Sequence, residues 1–151
     1  MIGFKIDKSM FFDRPKVVNA TNRATRRVLS RFGAYVRQTA RHSIRRRKRS
    51  SAPGQPPSSH VGLLRRRIYF GYDPRKESVV IGPTPINASG GRSPYGSTTV
   101  PELLEEGGRV QRKGRDGKTE TLNYQARPFM GPAFEKEKPK LPAMWKDSVK
   151  P

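Results

Sequence analysis

Apolar residues recur at helical spacing after residue 13, and this pattern predicts one long N-terminal helix. The residues that share one face at 100° per residue are Val17, Ala24, Val28, Phe32, Tyr35, Val36 and Thr39. Most arginines of the segment fall on the flanks of this stripe or opposite it. Asp13 suits the N-cap position, and Pro15 suits the first turn. The sequence therefore predicts an amphipathic helix of about 30 residues with an apolar face and a basic face.

Two β-hairpins are predicted downstream. Residues 64–72 have a strand pattern, Asp73-Pro74-Arg75-Lys76 provides turn residues, and residues 78–82 form the partner strand. Residues 110–125 are predicted to form the second hairpin, turning at Asp116-Gly117.

Two shorter helices complete the predicted elements. Val100 to Glu106 forms one, ended by Gly107-Gly108 as a C-cap. The other starts near Ala133, after an extended strand that carries Phe129 and Met130 inward, and Pro139 and Pro142 interrupt it.

These elements predict an α+β fold. A small antiparallel sheet of about four to six strands would pack against the long N-terminal helix and the short C-terminal helix. The core is expected to form between two sets of residues, namely Phe129, Met130, Phe134 and Trp145 on one side and Val28, Phe32 and Tyr35 on the other.

The chain is predicted to form one domain. At 151 residues a single domain is the default. Residues 1–11 are expected to form an N-terminal arm, and residues 12–151 the domain itself. The extended loops or hairpins within it are residues 50–60, 84–98 and 109–123, whose Gly, Ser, Pro or turn chemistry favours irregular structure.

Composition limits the function classes. The apolar fraction is 32%, with 14 glycines and 14 prolines, so a small core and much irregular chain are expected. There is no cysteine, which excludes disulfides, thiolate metal ligands and a cysteine nucleophile. No apolar run is long enough for a membrane span, and the first residues lack the apolar core of a signal peptide, so we expect no membrane partner.

Charge is the second large feature. The formal net charge is +20, and residues 1–50 hold 15 Lys and Arg against 2 acidic residues, a net +13. Such a surplus repels itself unless a polyanion or an acidic protein surface lies opposite.

The densest cationic cluster follows the long helix. Its members are Arg41, Arg45, Arg46, Arg47, Lys48 and Arg49. One interpretation is a phosphate-facing stripe that contacts double-stranded DNA without reading its sequence. An acidic partner protein would suit the same arginines equally well. A solvated helix end, whose cations favour the helix dipole, is the third interpretation.

Other residues are candidates for subunit interfaces. Arg65 and Arg67 would share one face of the predicted strand, which is either simply half-exposed or a contact between copies. The loop with Pro53, Pro56 and Pro57 could reach a neighbouring subunit or stay disordered. The remaining candidates are Glu102 and Glu105, which could pair with arginines of an adjacent subunit, and Arg112 and Lys113 near the second hairpin's tip.

Catalytic chemistry has little support. His42 and His60 are the only histidines, and neither has a carboxylate nearby in sequence. Glu102, Glu105 and Glu106 share a helix face, but acidic residues alone suggest a metal site only weakly. We find no nucleotide-binding loop, nucleophile elbow or dinucleotide fingerprint. The chain is therefore predicted to be no enzyme and to need no cofactor and no metal.

Several short motifs occur in a definite order along the chain. They are Pro53-Gly54-Gln55-Pro56-Pro57, Gly62-Leu63-Leu64 with Ile68, Val79-Val80-Ile81-Gly82-Pro83, Leu103-Leu104-Glu105-Glu106-Gly107-Gly108, and the corner from Ala126 to Phe134. This ordered series resembles the small neck proteins of tailed bacteriophages, the head–tail joining or tail-completion family. The resemblance covers residues 12–149.

The resemblance implies a virion structural protein at the head–tail junction, assembled in the host cytoplasm. Such a protein would be a homo-oligomeric ring, six-fold by family analogy, docked between the portal connector or adaptor and the tail tube or tail terminator. Its ring would surround the DNA channel. Without the motifs, composition favours a free-standing basic nucleic-acid-binding protein, either architectural or ribosome-associated.

Overall fold

A computed structural model describes residues 13–86, 98–113 and 118–149 of the chain. It contains a long N-terminal helix, short C-terminal helices and small antiparallel sheets. The predicted α+β class is confirmed. The predicted arm of residues 1–11 lies outside the described residues.

Helix α1 spans Arg14–Ser43 and has the predicted length of 30 residues. The side chain of Asp13 accepts a hydrogen bond from the backbone nitrogen of Lys16 at 3.0 Å, as an N-cap does. The buried positions of α1 are Ala20, Ala24, Val28, Phe32, Gly33, Val36 and Ala40. They recur at helical spacing, so the predicted apolar face is confirmed in its middle and C-terminal parts. Val17, at its start, is 42% exposed.

The first hairpin packs along α1. Strand β1 spans Ile68–Asp73 and pairs antiparallel with β2, Ser78–Pro83. Its turn is stabilised by the carboxylate of Asp73, which accepts a hydrogen bond from the backbone of Arg75 at 2.9 Å. Gly33 of α1 permits close approach, because a Cβ atom there would lie 2.7 Å from Cγ2 of Val79.

The predicted start of this hairpin is wrong. Residues Leu63–Arg66 form one helical turn, α2, after Gly62 in the left-handed region at φ 77°. Leu64 and Ile68, four residues apart, are 8% and 0% exposed, so they both face the core across this turn. Arg65 and Arg67 therefore do not share the face of a strand.

Helix α3 and the second hairpin form where predicted. Helix α3 spans Val100–Glu106, starts with a capping box between Thr99 and Glu102, and ends at Gly107 at φ 73°. A Cβ atom at Gly107 would lie 2.8 Å from the backbone nitrogen of Ala126. Both this close contact and the positive φ angle disfavour any residue other than glycine here.

Strand β3, Gly108–Lys113, pairs antiparallel with β4, Thr119–Tyr124. The turn predicted at Asp116-Gly117 lies outside the described residues.

The described strands form two separate two-stranded sheets instead of the predicted single sheet. Strands β1 and β2 pack on α1, whereas β3 and β4 contact chiefly each other. The first hairpin closes through its own local turn at Asp73. Joining the two hairpins would require edge-to-edge alignment of strands separated in sequence by residues 84–99 and by α3, and local patterns cannot specify such an alignment.

The C-terminal region is helical from an earlier point than predicted. Helix α4 spans Met130–Glu137, a 3₁₀ turn follows at Lys138–Lys140, and α5 spans Leu141–Trp145. The residues directly before α4 form no strand. The helix starts early because the carboxylate of Glu105 accepts hydrogen bonds from the backbone nitrogens of residues 129–131, at 2.9, 3.0 and 2.7 Å.

The core lies between α1, β1 and α4. Its buried side chains are Phe32, Val36, Ala40, Ile44, Leu64, Ile68, Phe129 and Ala133. Phe129 is 1% exposed, as predicted. Phe134 lies at the edge of the core, with its ring 5.7 Å from that of Phe32 in an edge-to-face arrangement. Trp145 is 37% exposed and closes the core less than predicted.

Candidate anion-binding surface

The cationic cluster begins where α1 ends. Ser43 is the last helical residue, and its hydroxyl donates to the carbonyl of Ala40 at 2.8 Å. Ile44 takes extended backbone angles, φ −78° and ψ 105°, and its side chain is 1% exposed. Burial of Ile44 therefore anchors the chain as it leaves the helix. The cations that follow belong to an irregular segment and not to a helix end.

The side chains of the arginine run point into different clefts. Arg45 and Arg47 line one cleft, whereas Arg46 lines another. The run is therefore distributed over two sides of the same segment.

The first cleft lies between α1 and α2, and we call it the α1 cleft. It is lined by Ala34, Arg37, Gln38, Arg41, His42 and Arg65. Nε of Arg37 donates to the carbonyl of Ile68 at 2.9 Å, which fixes this side chain against the start of β1. The helical turn at α2 brings Arg65 next to Arg41, a proximity that a strand at this position would not predict.

The α2 cleft adjoins it. It is lined by Arg41, Ile44, Arg46, Ser59, Val61, Gly62, Arg65 and Arg66. Since Arg41 and Arg65 line both clefts, the two are continuous.

The loop cleft lies on the other side of the arginine segment. It is lined by His42, Ser43, Arg45, Arg47, Gln55, Pro56, Pro57 and Ser58. The far side of the cleft is the proline-rich loop, which folds back onto its own body. The backbone nitrogen of Ser59 donates to the carbonyl of Arg45 at 3.0 Å, and that of Gly54 donates to the carbonyl of Ala126 at 2.8 Å. Residues 50–60 are irregular, as predicted, but they are not a free arm, because Ser51, Pro57 and Ser59 are buried.

We call the arginines of the three clefts the cationic face, consisting of Arg37, Arg41, Arg45, Arg46, Arg47, Arg65 and Arg66. Ion pairs among the described residues include those of Lys138 with Glu135 at 3.6 Å and of Lys140 with Glu137 at 2.6 Å. No arginine of the cationic face takes part in an ion pair with the described residues. Guanidinium groups without an ion-pair partner are available to bind phosphate or carboxylate oxygens from outside the chain.

Other predicted site residues lie apart from the clefts or at their rim. Lys48 and Arg49 are exposed and continue the arginine segment beyond the loop cleft. Pro53 is exposed, whereas Pro56 and Pro57 line the loop cleft. Among the described residues, then, the clefts bring together only part of the predicted cationic and proline-loop candidates.

Arg67 ends α2, and its carbonyl accepts a hydrogen bond from Thr84 at 2.9 Å. Glu102 belongs to the capping box of α3, and Glu105 bonds the start of α4, so both carboxylates already have partners within the chain. The side chains of Arg112 and Lys113 lie outside the described part of the structure.

The sequence prediction missed Arg37 and Arg66. Arg37 precedes Arg41 by one helical turn, so the two share a face of α1, and this spacing was a usable signal. Arg66 would have been found from the spacing of Leu64 and Ile68, which fits a helical turn as well as a strand.

The described residues were also compared with the requirements for metal binding and for membrane insertion. Within the described ranges, no group of three or more His, Asp or Glu side chains is placed to hold a metal ion. None of the helices described is both long enough and apolar enough to cross a membrane. Compared with known proteins, the chain matches no family model, no curated protein and no solved structure. The resemblance to phage neck proteins therefore stays a prediction.

Proposed function

We propose that this chain is a virion structural protein at the head–tail junction of a tailed phage. Copies of it form a ring that completes the tail or joins it to the portal connector, and the ring surrounds the DNA channel. Its partners are the portal connector or adaptor on one side and the tail tube or tail terminator on the other. The observation that carries the proposal is that the ordered motifs contact one another in the fold. The cationic face, whose charge has no ion-pair partner within the described chain, agrees with it.

The ordered motifs support the proposal because they contact one another. Glu105 of the Leu-Glu turn bonds the backbone of Phe129 in the corner at 2.9 Å. Arg127 of that corner donates to the carbonyl of Ser51, beside the proline-rich loop, at 3.0 Å, and Gly54 donates to Ala126. Motifs that are distant in sequence thus form one connected unit. Such a unit is a better basis for a family resemblance than isolated loop motifs.

The cationic face supports a position next to a polyanion. Arginines that line a ring can neutralise the phosphates of a duplex passing through it without contacting the bases. Such a role requires positive charge on the surface that faces the DNA and no particular base-reading geometry. An acidic surface on a neighbouring ring protein would use the same side chains.

The decisive experiment is electron microscopy of lysates from a phage that lacks this gene. We expect filled heads and finished tails lying apart, or tails with defective head-proximal ends. Restoring the gene on a plasmid should restore joined particles. Intact, infectious virions without the gene would refute the assignment.

A free-standing nucleic-acid-binding protein is the second candidate, and the same cationic face favours it. The two candidate functions differ in how strongly binding should depend on the salt concentration. Affinity that depends on phosphate contacts falls steeply as salt rises, with a log–log slope of about −0.9 for each phosphate neutralised. Assembly through packed protein surfaces is far less sensitive. A purified chain that binds duplex tightly, and whose deletion leaves virions intact, would favour the second candidate.

A further inference from the structure

We infer that the loop cleft is a discrete phosphate-binding site. Arg45 and Arg47 bind the phosphate oxygens from one side, and the proline-rich loop supplies Gln55 and Ser58 on the other. The inference deepens the proposed function, and it rests on that function only for the source of the phosphate, the backbone of duplex DNA.

The arginine side of the cleft is preformed. The carbonyl of Arg45 accepts a hydrogen bond from Ser59, and Arg45 forms an isolated parallel bridge with Ser58. Ile44, directly before it, is buried in the core. The main chain of Arg45 is therefore fixed before any ligand arrives, and only the side chains remain to be ordered. Less ordering on binding means higher affinity for the same contacts.

The loop side of the cleft is equally constrained. Pro56 and Pro57 have fixed φ angles, and Pro57 is buried. Gly54, at φ 77°, bonds Ala126 and so ties the loop to the body. The opening between the two sides of the cleft has a volume of about 350 Å³.

One hydroxyl on the loop side lacks a partner. The Oγ atom of Ser58 is shielded from solvent and forms no hydrogen bond with the described residues. A buried hydroxyl without a partner is unfavourable, so we expect the Ser58 side chain to turn toward an anion in the cleft and to donate its proton to one of the ligand oxygens. Gln55 is exposed and brings an amide that can also donate.

The donor arrangement favours phosphate over carboxylate. A carboxylate has two oxygens, and one guanidinium group can satisfy both. A backbone phosphate has two charged oxygens and two ester oxygens arranged tetrahedrally around phosphorus, whereas a carboxylate is planar, so phosphate suits donors that approach from two sides. None of the described residues that line the cleft is acidic, so no negative charge of theirs repels an anion there.

The site is tested by titrating the isotope-labelled chain with inorganic phosphate and with duplex DNA and following its backbone amide signals by NMR. With inorganic phosphate, the backbone amide signals of Gln55 and Ser58 should shift and saturate, and Ser58→Ala should weaken this binding about threefold. A short duplex of random sequence should shift the same signals. If inorganic phosphate shifts them and duplex does not, the site takes a free anion, and the DNA backbone as source is refuted.

The charge variants separate a built site from diffuse attraction. Arg45→Gln with Arg47→Gln should weaken duplex binding about tenfold at physiological salt and reduce the salt slope by about 2. The matched control is Arg23→Gln with Arg26→Gln, which removes the same charge from a cleft on α1 that also includes Tyr72. The control should weaken binding by less than about threefold.

Equal losses in the two double variants would overturn the inference, as would unshifted signals at Gln55 and Ser58. Either result leaves the proposed function standing if the deletion phage still yields separated heads and tails. Conversely, infectious virions from the deletion phage would refute the neck assignment while leaving a measured phosphate site intact.

Discussion

Substitution of Glu105 by alanine tests the contact that joins α3 to the corner before α4. The carboxylate accepts hydrogen bonds from the backbone nitrogens of Phe129, Met130 and Gly131 at 2.9, 3.0 and 2.7 Å. These nitrogens are the first donors of α4, and a helix cannot satisfy them internally. In this protein the side chain of Glu105, which lies 24 to 26 residues earlier in the sequence, accepts these hydrogen bonds.

The magnitude follows from the environment of each donor. Phe129 is 1% exposed, and Met130 is half-buried, so water replaces the lost oxygen poorly at both positions. Each such unsatisfied donor costs about 1–3 kcal/mol. Gly131 is exposed, and its nitrogen can be rehydrated at little cost. The sum is a loss of about 3 kcal/mol in the free energy of unfolding, which in a protein of this size lowers Tm by about 6–12 °C.

Urea unfolding followed by circular dichroism measures this loss. The midpoint should fall by about 1–2 M at an unchanged slope. Glu105→Gln keeps one acceptor oxygen and should fall between the alanine variant and the parent. Glu106→Ala is the matched control, because Glu106 is an exposed neighbour on the same helix and should change stability by less than about 0.5 kcal/mol. If Glu105→Ala were no more destabilising than Glu106→Ala, the reasoning about the remote cap would be refuted.

Two further substitutions test the packing of α1. The pKa of Glu137 lies below its ordinary value, chiefly because Lys140 donates a hydrogen bond to its carboxylate. The charged carboxylate therefore stabilises the fold above about pH 4.5. This stabilisation is lost as the pH falls through the lowered folded-state pKa. Glu137→Gln should therefore be less stable than the parent at pH 7 in urea unfolding, with the difference narrowing below about pH 4; a constant difference would contradict this. Gly33→Ala should lower the free energy of unfolding by about 1–3 kcal/mol, because the new Cβ atom would lie 2.7 Å from Val79. Gly71→Ala is the control, since a Cβ atom at Gly71 meets open space. Equal losses of stability in the two variants, measured by the same unfolding assay, would contradict the close approach at Gly33.

The elements that the sequence predicted well are those specified by neighbouring residues. Helix α1 has a long apolar stripe and its own N-cap, so its bounds follow from local chemistry. Helix α3 has a capping box at its start and Gly107 at its end. The turn at Asp73 is likewise fixed by a carboxylate that bonds a backbone nitrogen two residues on.

The elements that were predicted wrongly depend on contacts between distant residues. The start of α4 is set by Glu105, and the loop at residues 50–60 is tied down by hydrogen bonds to Ala126 and from Arg127. Periodicity along the chain carries no information about such partners. At α2 the failure was different, because a short apolar spacing fits both a helical turn and a strand, and the left-handed Gly62 decides between them.

Some arginines have hydrogen-bond partners in distant segments of the chain, whereas others have none among the described residues, and this difference connects the fold to the proposed function. Arg37 and Arg127 donate to backbone carbonyls of distant segments, so they stabilise the body. Arg45 and Arg47 form no side-chain hydrogen bond or ion pair with the described residues, although the main chain of Arg45 is held by Ser58 and Ser59. Like charges gathered on one surface repel and lower stability. A fold that fixes the backbone of such residues while leaving their charge uncompensated is suited to contact with an external anion.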